Sequence, residues 1–470
     1  MYQGSFRRCC TRRQIVQAGV LGLGGLSLPL LWAGRTMSAA TSSPTRKPAF
    51  GRAKSCIFLF MWGGPAHQDT WDLKPQAPPE IRGEFQPIAT AVPGIHICEH
   101  FVQMAQRTDH LTIIRSMTHN NVDHTPSTHF LLTGHPPPAS NNLADDWPSI
   151  GSVLSALNRG HPPLPPYVQM RPTVPGDVPR FVEQSHGQFA GWLSKQFNPL
   201  TIDANPALPD YRVGEFEPLP ELPLQRLDRR HRILRLLDLW SRNVSAQSPP
   251  AVMQTHYERA FELLQSSQAR HAFDLSQEPA SIREKYGLNP HGQSVLQARR
   301  LIERGVALVT VFWPNDGIKN VSVYWDTHSR NFIDLKTRLI PPADQAFAAL
   351  LDDLAERGLL DETLIIWSGE FGRTPRIGQV NSDAGAGADG RDHWPHCFTT
   401  VLAGAGLPKG CVYGASDRHA AYPALNPIQP MQLVATIYHL LGVSPELTLH
   451  DAQGRPLVLC PADPLWDLLG

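Results

Sequence analysis

The chain alternates short, unbroken apolar runs with longer stretches in which apolar residues recur every three or four positions. Ser55 to Met61 (SCIFLFM) is apolar throughout and breaks at Trp62-Gly63-Gly64-Pro65, which predicts a strand buried on both faces that ends in a loop. Leu111 to Arg115, Val306 to Phe312, Thr363 to Trp367 and Phe398 to Leu402 predict further strands. Helical spacing predicts helices over Ser127 to Leu132, Ser149 to Leu157, Leu227 to Val244, Met253 to Leu264 and Ser294 to Arg304. Two more are predicted over Ala343 to Arg357 and Met431 to Leu441, each followed by a terminating glycine, Gly358 or Gly442. From about Gly160 to Pro223 the chain is proline-rich and weakly periodic, an extended excursion. Strand and helix alternate at both ends, which predicts an α/β fold: a mostly parallel central sheet with helices on both faces. The helical stretch from about 195 to 290 reads as an insertion or cap.

Composition changes this picture at the N-terminus. The chain has 470 residues, room for one large domain with insertions or two smaller ones. Its formal charge is zero, yet the first 40 residues carry Arg7, Arg8, Arg12, Arg13 and Arg35 and no acid, leaving 37 basic against 42 acidic residues in the rest. A mildly acidic body argues against nucleic acid as a partner, since backbone phosphates call for a basic face. Thr11-Arg12-Arg13-Gln14-Ile15-Val16 precedes an uncharged stretch to Ala33, and small residues follow at Ser38-Ala39-Ala40. That order predicts a twin-arginine signal over 1–40, export to the periplasm or beyond, and a mature domain over 50–470. The four glycines in the apolar stretch make it a weak membrane anchor, so a cleaved signal is favoured over a retained one. No other segment is apolar for long enough to span a bilayer. Five cysteines lie beyond the signal, Cys56, Cys98, Cys397, Cys411 and Cys460, with no Cys-x-x-Cys spacing; a Cys397–Cys411 bridge is left open.

Candidate chemistry follows the predicted strands, where open α/β sheets place their sites. His67, Asp69 and Asp72 follow the first strand, and His119, Asp123, His124, Thr125, Ser127 and His129 follow the second. Asp326 and His328 come after the third, Glu370, Arg373 and Arg376 after the fourth, and Asp392, His393 and His396 before the last. Each cluster alone has a plainer reading: Asp-x-His as a loop hydrogen-bonding unit, GGP as a turn, Glu370–Arg373 as a local ion pair. Together, imidazole with carboxylate is the donor set for zinc, and a carboxylate-richer set suits manganese, calcium or magnesium.

These residues resemble a known family. His124 to Gly134 (HTPSTHFLLTG) resembles the sulfatase signature CxPSRxxLLTG and the phosphodiesterase segment TxPNHxxLxTG. TLIIWSGEFG resembles the superfamily segment TLxIxTSDHG, with Glu370 in place of a metal-binding Asp and Phe371 in place of His, and GRDHWP puts His393 at a late histidine ligand. The set GGPxxxDTWD, WDTHSRNF, SGEFGRTP and GRDHWP is similar to the exported family called domain of unknown function 1501. The resemblance implies an alkaline-phosphatase-like fold and a two-metal hydrolytic centre, which Phe371 in place of His reduces to one well-formed metal site with a weaker second. His124 stands where the family's nucleophile would be, and the early Asp ligand is missing, with Asp69 as its substitute candidate.

The reading that results is an exported, metal-dependent hydrolase acting on a phosphate or sulfate ester. Asp326, His328, Glu370 and His393 would hold the divalent metal, zinc first among candidates, with Asp69 and His124 as weaker ligands. Thr125, Ser127 or a metal-activated water would attack, or His124 would act as base, and Arg373 would neutralise developing charge. Arg391 is a weaker candidate for that role. An anionic polysaccharide follows from class and compartment, not from any residue. The rival is a non-catalytic binding or scaffolding protein that keeps the fold and one structural metal.

Overall fold

The computed structural model describes residues 49–173, 185–213 and 261–469, with scattered helical positions between 226 and 236. Its centre is an eight-stranded sheet. In chain order its strands are β1 (Ser55–Phe60), β2 (Leu111–Met117), β3 (Tyr167–Met170), β4 (Leu200–Ile202), β5 (Leu308–Phe312) and β6 (Thr363–Ser368). A two-stranded ribbon of β7 (Gly372–Arg373) and β8 (His393–Trp394) follows, and the sheet resumes with β9 (Phe398–Gly404) and β10 (Cys411–Tyr413). The sheet order is β10-β2-β9-β6-β1-β5-β3-β4. Only β9 runs antiparallel to its neighbours; the other pairings in this sheet are parallel.

All six residues of β1 are buried, so both faces of the sheet centre are covered. At roughly 1.5–3 kcal/mol for each fully buried large apolar side chain, Ile57, Phe58, Leu59 and Phe60 anchor the core. Five helices matter for the site: α1 (His124–Thr133), α2 (Ile150–Ala156), α3 (Pro290–Glu303), α4 (Ile340–Glu356) and α5 (Pro430–Leu440). Helix α3 packs on α4, β5 and β1, while α1 packs on α5. Local chemistry sets their ends. The Ser149 side chain accepts from Ser152 N to start α2, and Asn289 accepts from Gly292 N ahead of Pro290 to start α3. Gly358 and Gly442 take φ of 68° and 73° just past α4 and α5.

The strands and most helices lie where periodicity places them, but the proline-rich excursion is more than a loop. It delivers β3 and β4 to the sheet edge. Strands of four and three residues are too short to stand out from their proline-rich surroundings. The helices expected over Leu227 to Val244 and Met253 to Leu264 fall largely outside the described residues, as does the signal. Cys56, Cys98, Cys397, Cys411 and Cys460 are all free thiols, so no bridge joins Cys397 to Cys411. Among the described residues no helix is long and apolar enough to cross a membrane.

Candidate metal centre

The loops that leave β1, β2, β5 and β6 meet at one point. His124 opens α1, Asp326 and His328 lie in the loop after β5, and His393 sits on β8 opposite Arg373 of β7. One donor atom from each of His124, Asp326, His328 and His393 lies within 4.8 Å of the other three. Asp326 Oδ1 is the hub, 2.9 Å from His328 Nε2, 3.2 Å from His393 Nε2 and 3.4 Å from His124 Nε2.

The opposite edges of the rings define their tautomers. His328 Nδ1 donates to Gly385 O at 2.6 Å, and His393 Nδ1 donates to Val122 O at 2.7 Å. His124 Nδ1 donates to Glu370 Oε1 at 2.5 Å. A carbonyl or carboxylate only accepts, so each Nδ1 carries the proton and the Nε2 of a neutral ring presents a lone pair inward. His328 Nε2 and His393 Nε2 are then 2.9 Å apart and both face a carboxylate oxygen. Lone pairs that close repel unless a cation lies among them. The donor set therefore fits a divalent metal, with three imidazoles and one carboxylate as for zinc, each imidazole held from behind.

Charge balance agrees. Burial alone would lower the His124 pKa, but Asp326 and Glu370 outweigh it and lift it to about 9. Burial likewise disfavours a charged Asp326, yet Arg373 and His124 hold it well below the usual carboxylate range. His393, buried and facing Arg373, is lowered to about 4 despite Asp326. A metal entering this centre would displace the proton held on His124.

The remaining candidates take other positions. Glu370, fully buried, is not among the four clustered donors: its carboxylate accepts from His124 Nδ1 and from Gly63 N at 2.9 Å, so it orients the His124 ring from behind. Asp69 also stands outside the group, because Arg391 grips it through Nε at 2.7 Å and Nη2 at 3.0 Å, and Asn331 donates to it at 2.8 Å. Both Arg391 and Asp69 are fully buried, so neither reaches a substrate. Asp69→Asn is expected to cost about 3 kcal/mol by leaving the guanidinium uncompensated, with metal content unchanged, as urea unfolding and metal analysis of the same sample would read.

Arg373, expected to neutralise charge on substrate, is turned inward and fully buried. It donates to Gly64 O at 2.9 Å, to Arg391 O at 3.1 Å, and to Gly63 O and Asp326 Oδ1. It ties the loop after β1 to the ribbon and fixes the hub carboxylate. Ser127 is buried and donates to Asn121 O at 3.0 Å, which removes it as an accessible hydroxyl. Thr125, in the first turn of α1, is half-buried. Phe371 packs its ring 4.5 Å from that of His393 and 5.0 Å from that of His124, and it offers no nitrogen donor.

Sequence reasoning named Asp392 among the polar clusters but gave neither it nor Gly385 a role in holding the clustered histidines. Asp392 gathers the 381–392 loop, accepting from Asn381 N at 2.6 Å, Ser382 N at 2.7 Å and Ser382 Oγ at 2.6 Å. That brings Gly385 O onto His328. Gly390 lies so close that a Cβ there would sit 1.7 Å from His328 O, which explains the glycine in GRDHWP. The run of small residues at 384–388 was the available signal, since a chain that closes over a ligand needs small side chains.

This is an α/β protein with a His–Asp cluster that could hold a metal ion. Residues 53–469 match the family described as "Protein of unknown function (DUF1501)", and the chain belongs to that family. No curated protein matches it in sequence. In the course of its chain it is similar to PsFucS1 sulfatase from Pseudoalteromonas sp., at 13% identity over 93% of this chain and 75% of that one, with a TM-score of 0.38. It is also similar to a protein in the alkaline phosphatase superfamily from Vibrio parahaemolyticus, at 10% identity, 85% and 71% coverage and a TM-score of 0.38. For alkaline phosphatase from the Antarctic bacterium TAB5 the values are 9%, 76% and 92%, and 0.33.

Proposed function

We propose that the protein is an exported, metal-dependent hydrolase of phosphate or sulfate esters. The observation that carries the reading is the inward convergence of the Nε2 atoms of His124, His328 and His393 on Asp326, with each Nδ1 tied to an acceptor. A divalent metal held there would supply Lewis acidity toward an ester oxygen. Glu370 holds the His124 ring in register, and Arg373 holds Asp326. The N-terminal end of the ten-residue helix α1, with its partial positive charge, favours an anionic group beside the cluster. Thr125 is the hydroxyl left at that helix start. The Arg12-Arg13 pair and the uncharged stretch behind it support export by the twin-arginine route.

A second reading has its own support. Three imidazoles and a carboxylate would supply four protein ligands, the number of a closed structural metal site, and the fully buried Arg373 is unavailable to a substrate. The test is to strip and reload purified protein with zinc or manganese and assay chromogenic phosphate monoesters, phosphate diesters and sulfate esters. Turnover that His328→Ala abolishes supports the hydrolase; stoichiometric metal with no turnover on any ester supports the scaffold. Glu370→Gln is expected to weaken metal binding by roughly 10–100-fold while keeping the site, as for groups that act through a ligand. Loss of all metal in that variant would make Glu370 a direct ligand instead.

A further inference from the structure

Away from the metal centre, a groove of about 1400 Å³ opens between the 141–145 turn, the 189–198 segment that leads into β4, and the C-terminal hairpin at 450–457. Small-molecule sites are of roughly 300–1,000 Å³, so this volume suits a length of polymer better than a single compact ligand. Three half-buried aromatic side chains line it, Phe189, Trp192 and Phe197.

The central one is rigidly placed. Gly191 has φ +52°, and a Cβ there would sit 2.0 Å from Asp146 O, so the backbone presses directly on the 146–147 segment. Trp192 N donates to Asp146 O at 3.0 Å. The Trp192 ring meets Trp147 edge-on at 5.5 Å, and Trp147 in turn stacks on His135 at 3.5 Å and 3°. The indole N–H of Trp192 is buried and has no hydrogen-bond partner among the described residues.

Around the rings the lining is polar and balanced in charge. Lys195 and Arg455 stand against Asp145 and Asp451, and the amides of Asn141 and Gln453 are exposed at the rim. Balanced charge selects neither a polyanion nor a polycation. Flat rings match the C–H faces of pyranose rings, and amides that both donate and accept match their hydroxyls. We propose that this groove binds a neutral polysaccharide segment. The proposal does not rest on the ester-hydrolase reading, since the groove shares no residue with the metal cluster.

Affinity electrophoresis of the purified protein tests it, in native gels containing soluble glucan, xylan or galactomannan, or a sulfated galactan as the charged comparison. Retardation by at least one neutral polymer is expected, and Trp192→Ala should weaken it by at least about tenfold. Should that variant not fold, Ala144→Trp decides, because it adds bulk to the groove from an exposed position and removes no contact. Metal content and ester turnover, measured on the same samples, should not change in either variant. No retardation in any neutral gel overturns the proposal, as does retardation that a folded groove variant leaves intact. Retardation by the sulfated polymer alone also overturns it, as does a change of oligomeric state in Ala144→Trp, which would make the groove a protein interface.

Discussion

Asp326→Ala is expected to abolish metal retention and to lower stability by roughly 3–5 kcal/mol. The two effects have separate causes. Asp326 is the one clustered side chain whose oxygen approaches all three imidazoles, so its loss removes both a ligand and the charge that would hold the cation. It is also the carboxylate partner of the fully buried Arg373, whose other acceptors are backbone carbonyls. Carbonyls satisfy the guanidinium N–H groups but do not neutralise it. Asp326→Asn should separate the effects, losing metal while keeping more of the hydrogen bonding. Metal analysis after dialysis and urea unfolding midpoints are the measurements. An alanine variant that kept both its metal and its stability would remove Asp326 from the centre altogether.

Acid is the second large lever, and it acts through histidines outside the four clustered donors. His129 and His291 are buried, and burial lowers their pKa values to about 4 and about 3, in His129 against the pull of Asp146. His129 shows why: Nδ1 donates to His135 O at 3.0 Å while Nε2 accepts from Trp147 N at 3.1 Å. Protonating Nε2 would set two donors against each other. In the unfolded chain both residues titrate near 6.5. Above that value neither state takes the proton and stability is full. As pH falls below it the unfolded chain takes protons that the folded one refuses, so stability drops with falling pH until the folded pKa is reached. These two groups together contribute a loss of roughly 2–3 kcal/mol per pH unit between pH 6 and 4, to which His67 and His119, also lowered to about 4 by burial, add in the same direction. Urea unfolding at stepped pH checks the slope. His291→Gln should reduce it by about 1.4 kcal/mol per unit, one proton's worth. A flat profile over that range would show that these histidines are not held neutral.

The sequence by itself determined the scaffold and the neighbourhood of the site. Burial on both faces leaves a direct trace in a run such as SCIFLF, and helix ends leave theirs in Gly358 and Gly442, because these preferences act within a few residues. Strand ends then located the polar clusters, and Asp326, His328 and His393 do converge with His124. What the clusters do with their side chains was decided only by the tertiary structure. His124 and Glu370 are 246 positions apart, and Asp69 and Arg391 are 322 apart. Whether a carboxylate faces a metal, an imidazole or a guanidinium depends on which distant group arrives beside it. Glu370 met His124, Asp69 met Arg391, and Arg373 met the carbonyls of Gly63 and Gly64, so each was drawn away from the role that its residue type suggested. The short edge strands at Tyr167–Met170 and Leu200–Ile202 were hidden for the same reason: pairing with β5, not their own composition, makes a strand of Tyr167–Met170, and Leu200–Ile202 then follows on its free edge.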